Sequence, residues 1–332
     1  MIKIELVPDS IKYIQMDDER YFSEEFSNCI SNSKLTLINP EQGGSKEKYL
    51  NGLGKNYSDS LVFGSAVHEL ILQPDDFYLE DGVDRPTSKL GFVADDLYKK
   101  YSKNGTITKK DVIESCKSIG YYANTIENND AKISYVIDSC LPYIIERYTI
   151  ENDSTTTPIF LDEKNRNKCL ECVQKVQGDI NIQKLLHPVD AISENEAALF
   201  IDFKATDTET GKSVILRIKG KLDNFTIDSS NGTLVLNDLK TTGHLLKDFA
   251  GSFKKFHYSR QMAIYTLMLK EFARVYHSIE NPSSITANML IVSTISGYFT
   301  GIYKVSKEEI EEGFKEFIEL LRLAAEVELE KL

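Results

Sequence analysis

Two aspartates and one lysine are the residues in this sequence that are best suited to catalysis. Asp223 lies near the end of the run LRIKGKLDNF, and fourteen residues separate it from Asp238, which is followed two positions later by Lys240 in LVLNDLKTT. Residues two apart share one face of a strand, so Asp238 and Lys240 are expected to point the same way. If the two runs pair as a hairpin through DSSNG, Asp223 comes to lie beside Asp238.

Neighbouring carboxylates of this kind predict a metal site. Two carboxylates repel each other unless a cation lies between them, and their hard oxygen atoms suit Mg²⁺. A metal held there can activate water and neutralise the charge that builds on a phosphodiester, while Lys240 can position the water or stabilise the phosphate. Spacing alone equally allows a plainer interpretation, in which both aspartates open turns and Lys240 is a solvated charge.

The elements that would position these residues form an α/β pattern. Alternating apolar residues predict strands in AALFIDFKA, SVILRIKGKLDNFTI and TLVLNDLKTT, then in ITANMLIVST and GYFTGIYKV, with long helices after the third strand and after the fifth. Upstream, LVFGSAVHELILQP predicts a buried helix that ends at Pro74. The pattern indicates a central mixed sheet flanked by helices.

We interpret the chain, residues 1–332, as a single domain with three parts. Residues 20–80 form the N-terminal part of the core, residues from about 85 to 192 form a helical insertion or lobe, and residues 193–332 carry the sheet and its flanking helices. The middle part is mostly polar helical sequence without a motif.

GKLDNF and LNDLKTT resemble the Asp…Asp-x-Lys core of the PD-(D/E)XK nucleases, and within them the RecE (exodeoxyribonuclease VIII) type with its phage and prophage relatives. Gly64 to His68 is similar to the G-x-x-x-H helix of the RecB and RecE branches. Gln261 to Tyr265 is similar to the Q-x-x-x-Y helix that lines the same active site. The resemblance covers the core and leaves the middle of the chain unmatched.

The resemblance implies a restriction-endonuclease-like α/β core and assigns roles to individual residues. It makes Lys240 the catalytic lysine, and it makes His68, Asp223, Asp238 and the Leu239 carbonyl the metal ligands. It also places Gln261 and Tyr265 among the catalytic residues, where they support the ligands or contact DNA. Taken alone, a histidine on an apolar helix more often packs in the core. Two polar residues four apart commonly just pack a helix onto a sheet.

The function that the resemblance implies is a Mg²⁺-dependent DNA exonuclease, with Mn²⁺ as a possible substitute, acting 5′ to 3′ on double-stranded ends in recombination or repair. A single-strand annealing protein as partner and a ring-shaped homo-oligomer are further implications. Two alternatives stay open: an endonuclease that uses the same residues, and a non-catalytic DNA-binding or interaction protein that keeps only the fold.

The charge distribution limits where DNA can bind. A net charge of −12 argues against a surface that grips nucleic acid everywhere. From residue 240 to residue 274, however, the sequence contains seven basic residues and only two acidic ones. We predict DNA contacts here from Lys254, Lys255 and Arg260, although a simple solvated face fits this stretch equally well.

Composition also bears on location. The five cysteines are an odd number scattered along a long chain, which fits reduced thiols rather than a disulfide framework. No apolar run approaches the roughly 18 residues of a membrane span, and the first residues do not resemble a signal peptide. We therefore expect a cytoplasmic protein that does not bind membranes.

Overall fold

The computed structural model describes residues 1–52, 54, 57–295 and 297–331. The chain divides into two compact units. The first unit combines Met1–Gly54 with Val176–Leu332, and the second is Lys55–Lys175.

The strands and helices have the following bounds. The strands are β1 Ile2–Leu6, β2 Lys12–Ile14, β3 Phe77–Leu79, β4 Thr157–Ile159, β5 Ile192–Asp207, β6 Ser213–Asp228, β7 Thr233–Thr242, β8 Ser284–Ser293 and β9 Thr300–Val305. The helices are α1 Asp18–Tyr21, α2 Asn32–Thr36, α3 Lys46–Asn51, α4 Asp59–Leu72, α5 Ser88–Asn104, α6 Lys109–Ile119, α7 Asp130–Asp153, α8 Glu163–Gly178, α9 Ile180–Leu186, α10 Phe249–Lys255, α11 Tyr258–His277 and α12 Lys307–Leu329.

A central sheet organises the first unit. Its strands follow the order β1-β5-β6-β7-β8-β9, and β2 also pairs with β5. The β7–β8 pairing is parallel and the other pairings are antiparallel, so the sheet is mixed. The main apolar core lies between this sheet and helices α11 and α12. The predicted α/β fold, a central mixed sheet flanked by helices, is confirmed.

The hairpin predicted from DSSNG is present. Strands β6 and β7 pair antiparallel from Asp228↔Thr233 to Asn224↔Asn237. In the turn, Asp228 Oδ1 accepts hydrogen bonds from the backbone N–H and hydroxyl of Ser230, at 2.9 and 2.6 Å. Gly232 has a φ of +71°, a backbone conformation that residues other than glycine rarely adopt. These turn residues fix the register that brings the two aspartates to one end of the hairpin.

Helices α11 and α12 pack closely against each other at a glycine. A Cβ atom added at Gly313 would lie 2.1 Å from the carbonyl oxygen of Ser259. Only glycine therefore allows this close approach. Helix α12 begins with a capping box, because Ser306 and Glu309 each bond the backbone of the other.

The second unit is mainly helical. It contains helices α4 to α7 and most of α8, and its short strands β3 and β4 pair in parallel. An apolar cluster from α5, α6 and α7 fills its centre. Along its edge Arg147 bonds Asp95 and Glu151 at 3.0 and 2.7 Å. Across the described part of the whole chain, no helix combines the length and apolarity needed to span a bilayer.

Candidate active site

The candidate site lies where strand β6 separates from strand β7. Backbone pairing between them stops at Asn224↔Asn237, whereas β7 stays paired with β8 as far as Thr242. Just past that point, the backbone N–H of Leu239 donates to Asp223 Oδ2 at 2.7 Å. The Asp223 carboxylate thus accepts a hydrogen bond from the strand that β6 has left, and it lies at the opening between the two strands.

Glu196 lies across from Asp223 on the neighbouring strand β5. The β5–β6 register passes from Asn195↔Asn224 to Ala197↔Leu222, which places Glu196 opposite Asp223. Glu196 has a φ of +53°, a left-handed conformation that costs a non-glycine residue about 1–2 kcal/mol.

The side-chain pattern of β6 also changes phase at this point. Leu222 and Phe225 both point into the core, although they are three residues apart rather than two or four. Both strands therefore depart from regular geometry at the two acids. Local strain of this kind is typical of functional sites.

The two acids form an electrostatically strained pair. A carboxylate oxygen of Glu196 and one of Asp223 lie within 4.8 Å of each other. Burial, together with the charge of Asp223, raises the pKa of Glu196 to about 7, even though Lys221 Nζ lies 2.6 Å from its Oε2. Burial also raises the pKa of Asp223, against the opposing effects of Lys240 and the Leu239 N–H. A divalent cation would relieve this strain, so the oxygen donors present fit such an ion.

Asp238 and Lys240 form the second half of the site. Asp238 is fully buried, and its Oδ2 lies 2.6 Å from Lys240 Nζ. Burial acts to lower the pKa of Lys240, but the carboxylates of Asp238 and Asp223 outweigh it and raise that pKa well above its ordinary value. Lys240 therefore stays protonated at neutral pH and faces both aspartates.

Helix α11 holds Asp238 from the other side. Gln261 Nε2 donates to Asp238 Oδ1 at 2.9 Å. Tyr265, one turn later, has its pKa raised well above the ordinary value by burial, with Tyr21, Asp238 and Asp223 adding to the effect. Gly220 makes room for its ring, because a Cβ there would lie 2.9 Å from Tyr265 Cε1. The two predicted helix residues thus face the same group of carboxylates.

An aromatic path leads from Lys240 to an exposed basic surface. Lys240 Nζ lies 5.7 Å from the centre of the Tyr258 ring, and that ring is 5.7 Å from the ring of Phe256. Phe256 is 48% exposed, and Lys255 Nζ lies 5.3 Å from the centre of its ring. Lys254 and Lys255, at the end of α10, are exposed. We call Lys254, Lys255 and Phe256 the α10 surface.

The predicted DNA contact by Arg260 is corrected. Its side chain is fully buried, and its guanidinium bonds Glu316, Asn32 and Thr36 at 2.8, 2.7 and 2.8 Å. A guanidinium committed to these partners inside the fold cannot reach a phosphate on the surface. Arg260 instead links α11 to α2 and α12. Nothing in the basic stretch of the sequence indicates that this position is buried.

His68 and Glu196 are two further residues that bear on the metal site. His68 lies on α4, which belongs to the second unit, and its role as a metal ligand stays a prediction. Glu194 and Glu196 precede the first predicted strand of the sheet and could supply an additional acid, but the sequence alone does not assign either as a ligand. In the structure Glu196 faces Asp223. Its position just before the apolar run AALFIDF is the one sequence signal that could have pointed to it.

Similarity to known proteins agrees with this geometry. Residues 170–327 match the PD-(D/E)XK nuclease superfamily. The matched segment is slightly less than half of the chain, and it contains Asp223, Asp238, Lys240, Gln261 and Tyr265. The narrower resemblance to the RecE type stays a prediction.

The chain is similar to the crystal structure of a candidate exonuclease from Eubacterium rectale, with 13% identity and a TM-score of 0.45, over 93% of this chain and 86% of that one. No curated protein matches the sequence.

Proposed function

We propose that the protein is a divalent-metal-dependent deoxyribonuclease of the PD-(D/E)XK type. The observation that carries this proposal is the pairing of Lys240 Nζ with Asp238 Oδ2 at 2.6 Å, next to the strained pair of Asp223 and Glu196. Acidic oxygen ligands beside a protonated lysine are the groups that hydrolysis of a phosphodiester requires. Mg²⁺ is the proposed ion, with Mn²⁺ as a substitute.

Each residue has a distinct part in this proposal. Asp223, Asp238 and Glu196 offer carboxylate oxygens to the ion, with His68 and the Leu239 carbonyl as further proposed ligands. A divalent cation held there supplies the positive charge that activates water and stabilises a phosphorane-like transition state.

Lys240 and Gln261 prepare the site for that chemistry. Lys240 keeps its proton at neutral pH, so its ammonium can donate to the attacking water or to a phosphate oxygen. Gln261 fixes the orientation of Asp238 through its bond to Oδ1. Because both groups are already held in place, little reorganisation is needed when substrate arrives.

The α10 surface is the proposed entry for DNA. Exposed lysines bind phosphates, and an exposed aromatic ring can stack on a base. The aromatic path from Phe256 through Tyr258 connects this surface to Lys240. A local basic surface of this kind also reconciles DNA binding with the net charge of −12.

End-dependent cleavage in the 5′ to 3′ direction is the form of the activity that we propose. Its support is the resemblance of GKLDNF, LNDLKTT and the Q-x-x-x-Y helix to the RecE type. The same resemblance supports a role in recombination or repair, an annealing partner and a homo-oligomer. The alternative is an endonuclease, because the Asp…Asp-x-Lys arrangement is shared by both kinds of enzyme.

The test is digestion of end-labelled linear duplex beside covalently closed circular DNA, with Mg²⁺ or with EDTA. Wild type is compared with Asp238→Asn and with Asp228→Asn, a matched control at the turn of the same hairpin. Loss of linear DNA alone, abolished by EDTA and by Asp238→Asn only, supports the exonuclease.

The other outcomes are equally informative. Cutting of the circle indicates the endonuclease. No cutting of either DNA, by wild type with Mg²⁺ or Mn²⁺, overturns the nuclease proposal and favours a binding protein.

A further inference from the structure

A row of asparagines crosses the sheet directly beside the acids. Asn195, Asn224, Asn237 and Asn288 occupy strands β5, β6, β7 and β8, and each pairs in register with the next. Asn224, Asn237 and Asn288 are 0%, 0% and 1% exposed. We call these four residues the asparagine row.

The row is joined by side-chain hydrogen bonds in one direction. Asn288 Nδ2 donates to Asn237 Oδ1 at 2.9 Å, Asn237 Nδ2 to Asn224 Oδ1 at 2.7 Å, and Asn224 Nδ2 to Asn195 Oδ1 at 2.8 Å. Asn237 also bonds the carbonyl oxygen of Leu185 in α9. Short bonds between buried amides hold adjacent strands at one register, because a slip by one residue would leave each buried amide without its partner.

The asparagine row also lies next to the acids along the chain. Asn195, Asn224 and Asn237 are the immediate chain neighbours of Glu196, Asp223 and Asp238. Asn224↔Asn237 is also the last backbone pair before β6 and β7 separate. The row therefore fixes the point from which the two aspartates extend.

We propose that Asn224 and Asn237 are positioning residues that set the separation of Asp223 and Asp238, and so the affinity of the site for a divalent ion. The inference rests on the proposed function, since it assigns the acids to a metal. The amides bond one another across the strands, and Asn237 also bonds the carbonyl oxygen of Leu185. They act through the backbone that they hold in register.

Asn288 provides a matched control within the same row. It is buried and bonded like the other two, but its neighbour toward the site is Met289, which offers no carboxylate. If the row has only a structural role, Asn224→Leu, Asn237→Leu and Asn288→Leu should change the Mn²⁺ affinity equally. If the row positions the acids, the first two substitutions should weaken Mn²⁺ binding and the third should not.

The experiment is calorimetric titration of each purified variant with Mn²⁺ alone, well below its measured midpoint of thermal unfolding. We expect Asn224→Leu and Asn237→Leu to bind Mn²⁺ at least about 10-fold more weakly than wild type. Asn288→Leu is expected to lose thermal stability while its Mn²⁺ affinity stays within about 2-fold of wild type. If a leucine variant does not fold, the serine variant at the same position replaces it.

The outcomes separate this inference from the function on which it rests. Unchanged affinity in Asn224→Leu and Asn237→Leu, or an equal loss in all three variants, overturns the positioning role while the metal site stands. Wild-type protein that binds no Mn²⁺ overturns the metal site, and the positioning role with it.

Discussion

The backbone N–H of Leu239 donates to Asp223 Oδ2 at 2.7 Å, so a side chain of β6 is bonded to the backbone of β7 where the two strands have parted. This bond ties the first aspartate to the strand that carries Asp238 and Lys240. Replacing the carboxylate by an amide keeps an oxygen acceptor for the N–H but removes the negative charge. The site can thus be tested without dismantling the hairpin.

Asp223→Asn is expected to lower the cleavage rate by at least about 100-fold, because even a residue that only supports a metal ligand is worth about 10–100-fold. Its thermal unfolding should stay close to that of wild type, since the Leu239 N–H still has an acceptor. Cleavage assays and Mn²⁺ titration measure the two effects. Cleavage at the wild-type rate by Asp223→Asn would show that Asp223 is not a ligand.

Lys240→Met is expected to lower the cleavage rate by about 10²–10³-fold, the usual effect of removing one donor that stabilises a transition state. It should still bind Mn²⁺, because the carboxylates remain. Without metal, the variant should also be less stable than wild type, since Asp238 loses the lysine ammonium that lies 2.6 Å from its Oδ2.

Lys240→Arg is the control for that variant. It keeps the charge but not the shape of the ammonium, and it should recover stability more fully than cleavage. Normal cleavage by Lys240→Met would remove the lysine from the mechanism.

The metal-free protein should become less stable as the pH rises from about 4.5 to about 7. The folded protein keeps the proton of Glu196 up to a pKa of about 7, whereas the unfolded chain releases it near the ordinary value of 4.5. In this window the folded state binds more protons than the unfolded state, so the free energy of unfolding falls with rising pH. Urea unfolding in EDTA at pH 5 and pH 8 measures the change.

Glu196→Gln is expected to reduce that pH dependence, because the neutral amide has no proton to release. Added Mn²⁺ should stabilise wild type more at pH 8 than at pH 5, since it binds the ionised carboxylate. An identical pH dependence in Glu196→Gln and wild type would contradict the assignment.

The parts of the site that the sequence predicts are those that depend on local pattern. Asp238 and Lys240 follow from strand alternation, and the hairpin follows from DSSNG. The role of Glu196 depends instead on its own left-handed backbone conformation and on a change of phase in β6, and its position before an apolar run does not predict either of them. The asparagine row likewise appears only when four strands are aligned, because its members are far apart in sequence.

Arg260 shows the same limit for charges. In the sequence it belongs to a basic stretch, and its helix α11 was predicted. Which face of that helix is buried depends on α2 and α12, which pack from distant parts of the chain. Pairing with Glu316 offsets the desolvation cost of burying the guanidinium, and no local sequence pattern predicts that partner.

Lys254 and Arg260 are therefore expected to behave in opposite ways when each is replaced. In the cleavage-deficient Asp238→Asn background, Lys254→Ala with Lys255→Ala should weaken duplex binding and reduce the slope of log affinity against log salt by about 1 per lysine. The double lysine variant should be as stable as its parent, because both side chains are exposed. Arg260→Met should instead destabilise the fold by about 3–5 kcal/mol, because it removes the bonds of the buried guanidinium to Glu316, Asn32 and Thr36.

Binding titrations at several salt concentrations, together with urea unfolding, distinguish these effects. For the folded fraction of Arg260→Met the salt slope should equal that of the parent, since a guanidinium inside the fold releases no counterions from DNA. A reduced slope in Arg260→Met with normal stability would return Arg260 to the DNA interface. An unchanged slope in the double lysine variant would move the entry for DNA away from the α10 surface.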